Sequence, residues 1–122
     1  MDAKYLNQLL IMKFPNLQES YEEEVSWQEG DSTGSHIVYG DVLTPYLMEC
    51  VEKNYTEEVK KIFNFLEEIL LLKNKYSDEV IAFSVLEGIF HLLNENSLLQ
   101  KLLGGKTRGV FEELVQNFNR SS

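Results

Sequence analysis

Glu87 and His91 stand four residues apart, a spacing that sets two side chains on one face of a helix. A carboxylate beside an imidazole could move a proton or form half of a zinc-type site. Neither chemistry is complete on two groups. A third and fourth ligand would have to come from elsewhere, and the other histidine, His36, follows a loop-like stretch. Ser84, Gly88, Asn94 and Glu95 fall in the same narrow polar stripe. The plain expectation is a solvated strip with a favourable Glu87–His91 contact. The functional alternative is a partner-binding surface of Ser84, Glu87, Gly88 and His91, with Gly88 letting a partner's backbone come close.

Other constellations are weaker. Gly105-Lys106-Thr107 resembles the end of a phosphate-binding loop, but the pattern requires glycine where Gln100 stands, and a strand where Leu98–Leu103 reads as helix. A C-cap followed by the next N-cap explains it better. No serine sits in a nucleophile elbow, so Ser/His/Asp catalysis has no support. Cys50, set among Tyr46, Leu47 and Val51, reads as a buried free thiol. The largest single-sign feature is acidic: Glu19, Glu22, Glu23 and Glu29 share one side of a helix, and Asp31 follows. Like charges at that spacing mildly destabilise a helix. They suit either a solvated face or docking to a cationic protein. Calcium is disfavoured because no EF-hand spacing occurs.

The elements that must position these residues all read as helices at 100° per residue. Asp2–Lys13 gathers Ala3, Leu6, Leu9 and Leu10 on one side, and Phe14-Pro15 ends it. Asn16 starts a second helix to about Gln28, with Glu19 completing a capping box and Leu17, Tyr21 and Val25 as its stripe. Glu29–Ser35 reads as a loop, and Ile37–Tyr39 as a short extended piece without a sheet partner. Asp41 or Thr44 opens a third helix to about Lys53, and with Thr44 as the cap Pro45 takes the first helical position.

Thr56 caps a fourth, whose Val59, Ile62, Phe63, Phe65, Leu66, Ile69, Leu70 and Leu72 face inward while Glu67 and Glu68 face out. Ser77 caps a fifth, Asp78–Asn94, apolar around a wide arc from Ile81 through Phe83 and Leu86 to Leu93 and therefore central. Ser97–Leu103 is short, ended by Gly104-Gly105 as a left-handed cap. Thr107–Asn119 is last, burying Val110, Phe111, Leu114, Val115 and Phe118, with 120–122 as a frayed tail. Short connections make Thr44–Lys73 and Ser77–Asn119 antiparallel hairpins. The fold class is all-α, a single domain over 1–122 forming a compact bundle of six or seven helices, with a HEAT-like pairing of hairpins as one form it could take.

Charge narrows the partners. With 20 acidic against 11 basic residues the net charge is −9, which argues against nucleic acid and against an anionic membrane surface. No apolar run approaches the ~20 residues that span a bilayer. Met1–Phe14 lacks a signal-peptide pattern, so a cytoplasmic location is the default. No cofactor motif occurs and none is expected.

Several stretches together resemble a family of short bacterial proteins carried as a domain of unknown function: Phe14–Asn16, the acidic segment up to Trp27, Tyr39–Leu47, Ile62–Glu68 and Leu102–Leu114. The likeness spans most of the chain, departing where the family has proline and this chain has Gly105. It implies helical caps and stripes, and no catalytic residue. Small acidic members of this kind are similar in character to toxin-immunity proteins. The expectation is therefore a non-enzymatic protein-binding domain, with an immunity protein that meets a cationic toxin through the acidic face as its specific form. The alternatives are a helical scaffold or regulatory module, homodimeric through Leu71 and Trp27, and a metal or acid–base enzyme around Glu87 and His91.

Overall fold

The computed structural model describes residues 1–121, and every regular element among them is helical. The all-α expectation holds. Eight helices result, because the one expected over Asp78–Asn94 is divided. They are α1 (Ala3–Lys13), α2 (Gln18–Ser26), α3 (35–52), α4 (Thr56–Leu70), α5 (75–86), α6 (Phe90–Asn94), α7 (Ser97–Gln100) and α8 (Gly105–Ser121). Short 3-10 turns at Pro15–Leu17 and Gly30–Ser32 lead into α2 and follow it.

Apolar periodicity placed the helices well, and capping chemistry placed their ends less well. Asp2 caps α1, accepting from the Tyr5 N–H. Asn16 caps nothing, because Pro15–Leu17 winds as 3-10 and Leu17 leads into α2 without a side-chain cap. Thr56 is the first residue of α4, preceded by Tyr55 rather than acting as the cap. Asn74, not Ser77, opens α5 by accepting from the Ser77 N–H, and Asn96 opens α7 by accepting from Leu99 N–H. Asparagine is among the strongest N-cap residues, so it displaces a nearby serine.

Two other corrections concern whole stretches. Residues 35–39 are neither loop nor extended: Ser35–Val38 is α-helical, Tyr39–Leu43 is π-helical and Thr44–Glu52 continues as α. Thr44 is thus interior, and its N–H reaches back five residues to Tyr39 O. An ordinary helix would set the Pro45 ring against the carbonyl four residues back. The π-turn lies directly before it, where i→i+5 bonding has already replaced that ladder. At the other end, α8 continues through Arg120 and Ser121 in place of a frayed tail; Ser122 lies outside the described residues.

α5 and α3 cross at the centre. Both carry π segments, Val80–Leu86 in α5 and Tyr39–Leu43 in α3, and the two pack on each other. Val80, Ile81, Val85 and Leu86 are all fully buried, which makes α5 the central element the sequence indicated. Wider π winding turns later side chains away from the 100° spacing. Accordingly Val80 faces inward and Phe83, expected in the core, is 56% exposed. α4 buries Val59, Ile62, Phe63, Phe65, Leu66, Ile69 and Leu70. It stops there, so Leu71 and Leu72 are exposed in the turn that follows.

Candidate functional site

The acidic face is built by α2 and the turn after it. Glu19, Glu22, Glu23, Glu29 and Asp31 are all exposed. Ion pairs among the described residues join Lys13 to Glu68, Lys53 to Glu49 and Lys60 to Glu57, and none reaches this face. Among the described residues no cationic side chain compensates its charge. Asp31 is nonetheless held in place. Tyr21 donates its hydroxyl to Asp31 Oδ1 at 2.8 Å, and burial together with that carboxylate pushes the phenol well above its ordinary range. Asn7, buried on α1, donates Nδ2–H to Thr33 O at 2.7 Å and to Asp31 O at 3.2 Å. Ser35 donates its hydroxyl to Asn7 Oδ1 at 2.7 Å.

Asn7 borders the apolar arc of α1, just beyond Ala3, and is fully buried. A polar residue at the edge of that arc is the sequence signal for it, because a buried amide must be hydrogen-bonded. Between α1 and α2 lies a groove of roughly 280 Å³ lined by Gln8, Ile11, Met12, Gln18, Tyr21 and Asp31. Gln18, one of the lining residues, donates to the Glu22 carboxylate at 2.8 Å. Trp27, just past α2, is 70% exposed.

Of Ser84, Glu87, Gly88 and His91 the last three are exposed and Ser84 is half-buried, and the four are divided between two neighbouring helices, α5 and α6, and the turn that joins them. After the π segment the chain turns through Glu87–Ile89, with Phe90 N–H bonding Glu87 O, before α6 begins. The i,i+4 geometry is lost there, and Glu87 and His91 form no ion pair. Ser84 and Gly88 face α3. Ser84 Oγ is 3.2 Å from His36 Nδ1, and Ser84 O accepts the Thr44 hydroxyl at 2.7 Å. A Cβ on Gly88 would lie 3.0 Å from Thr44 Cγ2. The close approach foreseen for a partner's backbone at Gly88 is therefore made by Thr44 of the same chain.

His36 and Ser84 form a serine–histidine pair that the sequence reading did not anticipate, since 48 residues separate them. His36 packs edge-on against Tyr76 at 5.8 Å, and among the described residues no carboxylate bonds it. A pair without an orienting acid falls short of a nucleophilic triad. Glu87 and His91 look the other way and line a groove with Phe83, Phe90, Leu114, Asn117 and Phe118. Among the described residues no group of three or more His, Cys, Asp or Glu is placed to hold a metal ion.

The Gly105-Lys106-Thr107 segment does hold an anion, and the anion belongs to the protein. Glu67, from α4, accepts from the Lys106 and Thr107 N–H groups at 2.9 Å each and from the Thr107 hydroxyl at 3.2 Å. It caps α8 from a distant helix. Gly104 is not left-handed, nor is Gly105. Glycine stands at 104 because a Cβ there would lie 2.6 Å from Glu67 Oε1. Left-handed geometry occurs instead at Asn54 and Lys73, after α3 and α4. Burial raises the Glu67 carboxyl, but the bonds from Thr107 and Lys106 outweigh it and hold the group below its ordinary value. Cys50 is buried, and burial pushes its thiol up, away from reactivity.

Among the described residues no helix is long and apolar enough to cross a membrane. Residues 7–119 match the family described as a domain of unknown function, DUF7674. No curated protein and no solved structure matches the chain.

Proposed function

Since the chain belongs to that family of domains of unknown function, we propose from its geometry that it is a non-enzymatic protein-binding module whose acidic face docks on a cationic partner. The observation that carries this is that, among the described residues, no ion pair reaches Glu19, Glu22, Glu23, Glu29 or Asp31 while Lys13, Lys53 and Lys60 pair elsewhere. The groove between α1 and α2 suits a lysine or arginine side chain. Its stem would lie along Ile11 and Met12, and its head would meet Asp31 and Glu22. The specific role we assign is that of a bacterial cytoplasmic immunity protein. Such a protein blocks a basic active-site cleft by shape and charge and needs no catalytic group of its own.

The test is capture from a bacterial lysate at low and high salt, followed by stopped-flow association with the isolated partner. Reversal of Glu19, Glu22, Glu23 and Glu29 to lysine is compared with reversal of Asp41, Glu52, Glu95 and Glu112, exposed acids elsewhere. Glu67 and Glu68 cannot serve as that control, because one caps α8 and the other pairs with Lys13. The expected result is a cationic partner whose association rate falls as salt rises and falls much further for the acidic-face variant. Equal losses in both variants would reduce the face to net charge. A purified chain that dimerises through Trp27 and Leu71 with no cationic partner would favour the scaffold reading.

A further inference from the structure

We infer that the groove between the end of α5 and α8 is a binding site for a trimethylammonium head group. It encloses roughly 390 Å³ and is lined by Phe83, Glu87, Phe90, His91, Leu114, Asn117 and Phe118, so four of its seven lining residues are aromatic. Three of the rings form a corner. Phe90 and Phe118 lie 5.4 Å apart at 40°, His91 meets Phe118 edge-on at 6.1 Å and 88°, and Phe90 meets His91 at 5.9 Å. Phe83 also lines the groove, makes no ring contact with the other three and is 56% exposed, while Phe118 is 48% exposed.

Exposed phenylalanine is costly in water, and here two such rings border one concavity. The faces of aromatic rings attract cations, most strongly cations that shed little hydration, and a quaternary ammonium is the prime case. Charge agrees: among the described residues Glu87 is the one carboxylate lining the groove, and no lysine or arginine lines it. An anion or a plain hydrocarbon would leave Glu87 unanswered. This site lies on elements other than the acidic face and does not depend on its role.

Two sources could supply the head group, a free solute such as choline or a trimethylated lysine on another protein. Titration of the whole chain, followed by NMR at constant ionic strength, uses choline, a short trimethyl-lysine peptide, and 3,3-dimethyl-1-butanol, the uncharged isostere of choline. The expected result is saturable shifts confined to Phe83, Glu87, His91 and Phe118 with the two cations, and binding at least tenfold weaker for the alcohol. Phe83→Leu and Phe118→Ala should each weaken choline binding about fivefold to tenfold, the worth of one desolvated cation–π contact. Phe83 is exposed, so Phe83→Leu keeps the test valid should Phe118→Ala unfold. Glu87→Gln should weaken the cations and leave the alcohol unchanged. A peptide tenfold tighter than choline assigns the site to a partner's side chain, and equal affinity assigns it to a free solute. Absence of localised shifts with either cation overturns the site, as does an alcohol that binds as well as choline.

Discussion

Glu67 shows how much one side chain can do from the surface. Its carboxylate satisfies two N–H groups at the start of α8 and one hydroxyl, tying α4 to the last helix. Glu67→Gln replaces an acceptor oxygen by a donor and removes the charge at the positive helix end, so it should cost about 0.5–2 kcal/mol in a denaturant titration. The group is held below its ordinary value in the folded state. Its contribution is therefore complete above the unfolded glutamate value, about 4.3, and is lost as pH falls through the lower folded value. Wild type should lose stability over that acid window more steeply than Glu67→Gln, and parallel curves would show the cap to be inert. Gly104→Ala should reproduce the loss at neutral pH, since its methyl would displace the same carboxylate. Periodicity placed Glu67 on the outer half of α4 correctly, but no local pattern says that another helix begins above it.

Among the elements, the paired π segments of α3 and α5 set the geometry that the sequence missed. Their widened turns leave carbonyls without ordinary i+4 partners, and Thr44 meets one of them by donating to Ser84 O at 2.7 Å, with Tyr39 O 3.1 Å away. Thr44 is buried. Thr44→Val keeps the shape and removes the donor, so a loss of about 1–3 kcal/mol is expected in thermal or chemical unfolding. A neutral result would mean that Ser84 O finds water. At the end of α4, Lys73 sits at φ 54°, a strain that glycine avoids. Lys73→Gly should stabilise by up to about 1 kcal/mol, and a measured loss would mean the lysine stem contributes more by packing than its backbone costs. The break at Glu87–Ile89 belongs to this scale too. It separates Ser84 and Gly88, which serve the α3–α5 contact, from Glu87 and His91, which face α8.

At the scale of the molecule, one core joins α1 through α8, and Leu86 is fully buried near its middle. Leu86→Ala should cost about 2–5 kcal/mol, and a loss below about 1 kcal/mol in urea would show α5 to be peripheral. Dialysis against a chelator should leave the melting temperature unchanged; a fall restored by zinc would return Glu87 and His91 to consideration as ligands. The apolar stripe of α4, the burial of Leu86 and Cys50, the net charge and the acidic face of α2 were all legible in the chain. Each depends on composition or on a helical period, which are local properties. The ends of α1 were legible too, but the starts of α2, α3, α4, α5 and α8 were settled only in the folded chain, where neighbouring caps compete and acceptors such as Glu67 come from other helices. Tertiary structure also decided that His36 meets Ser84, that Phe83 turns outward and lines one groove with Phe118, and that Asn7 reaches the backbone of Asp31. Those contacts join residues far apart in the chain, and their partners are fixed only once π winding and packing have set the rotation of each helix about its own axis.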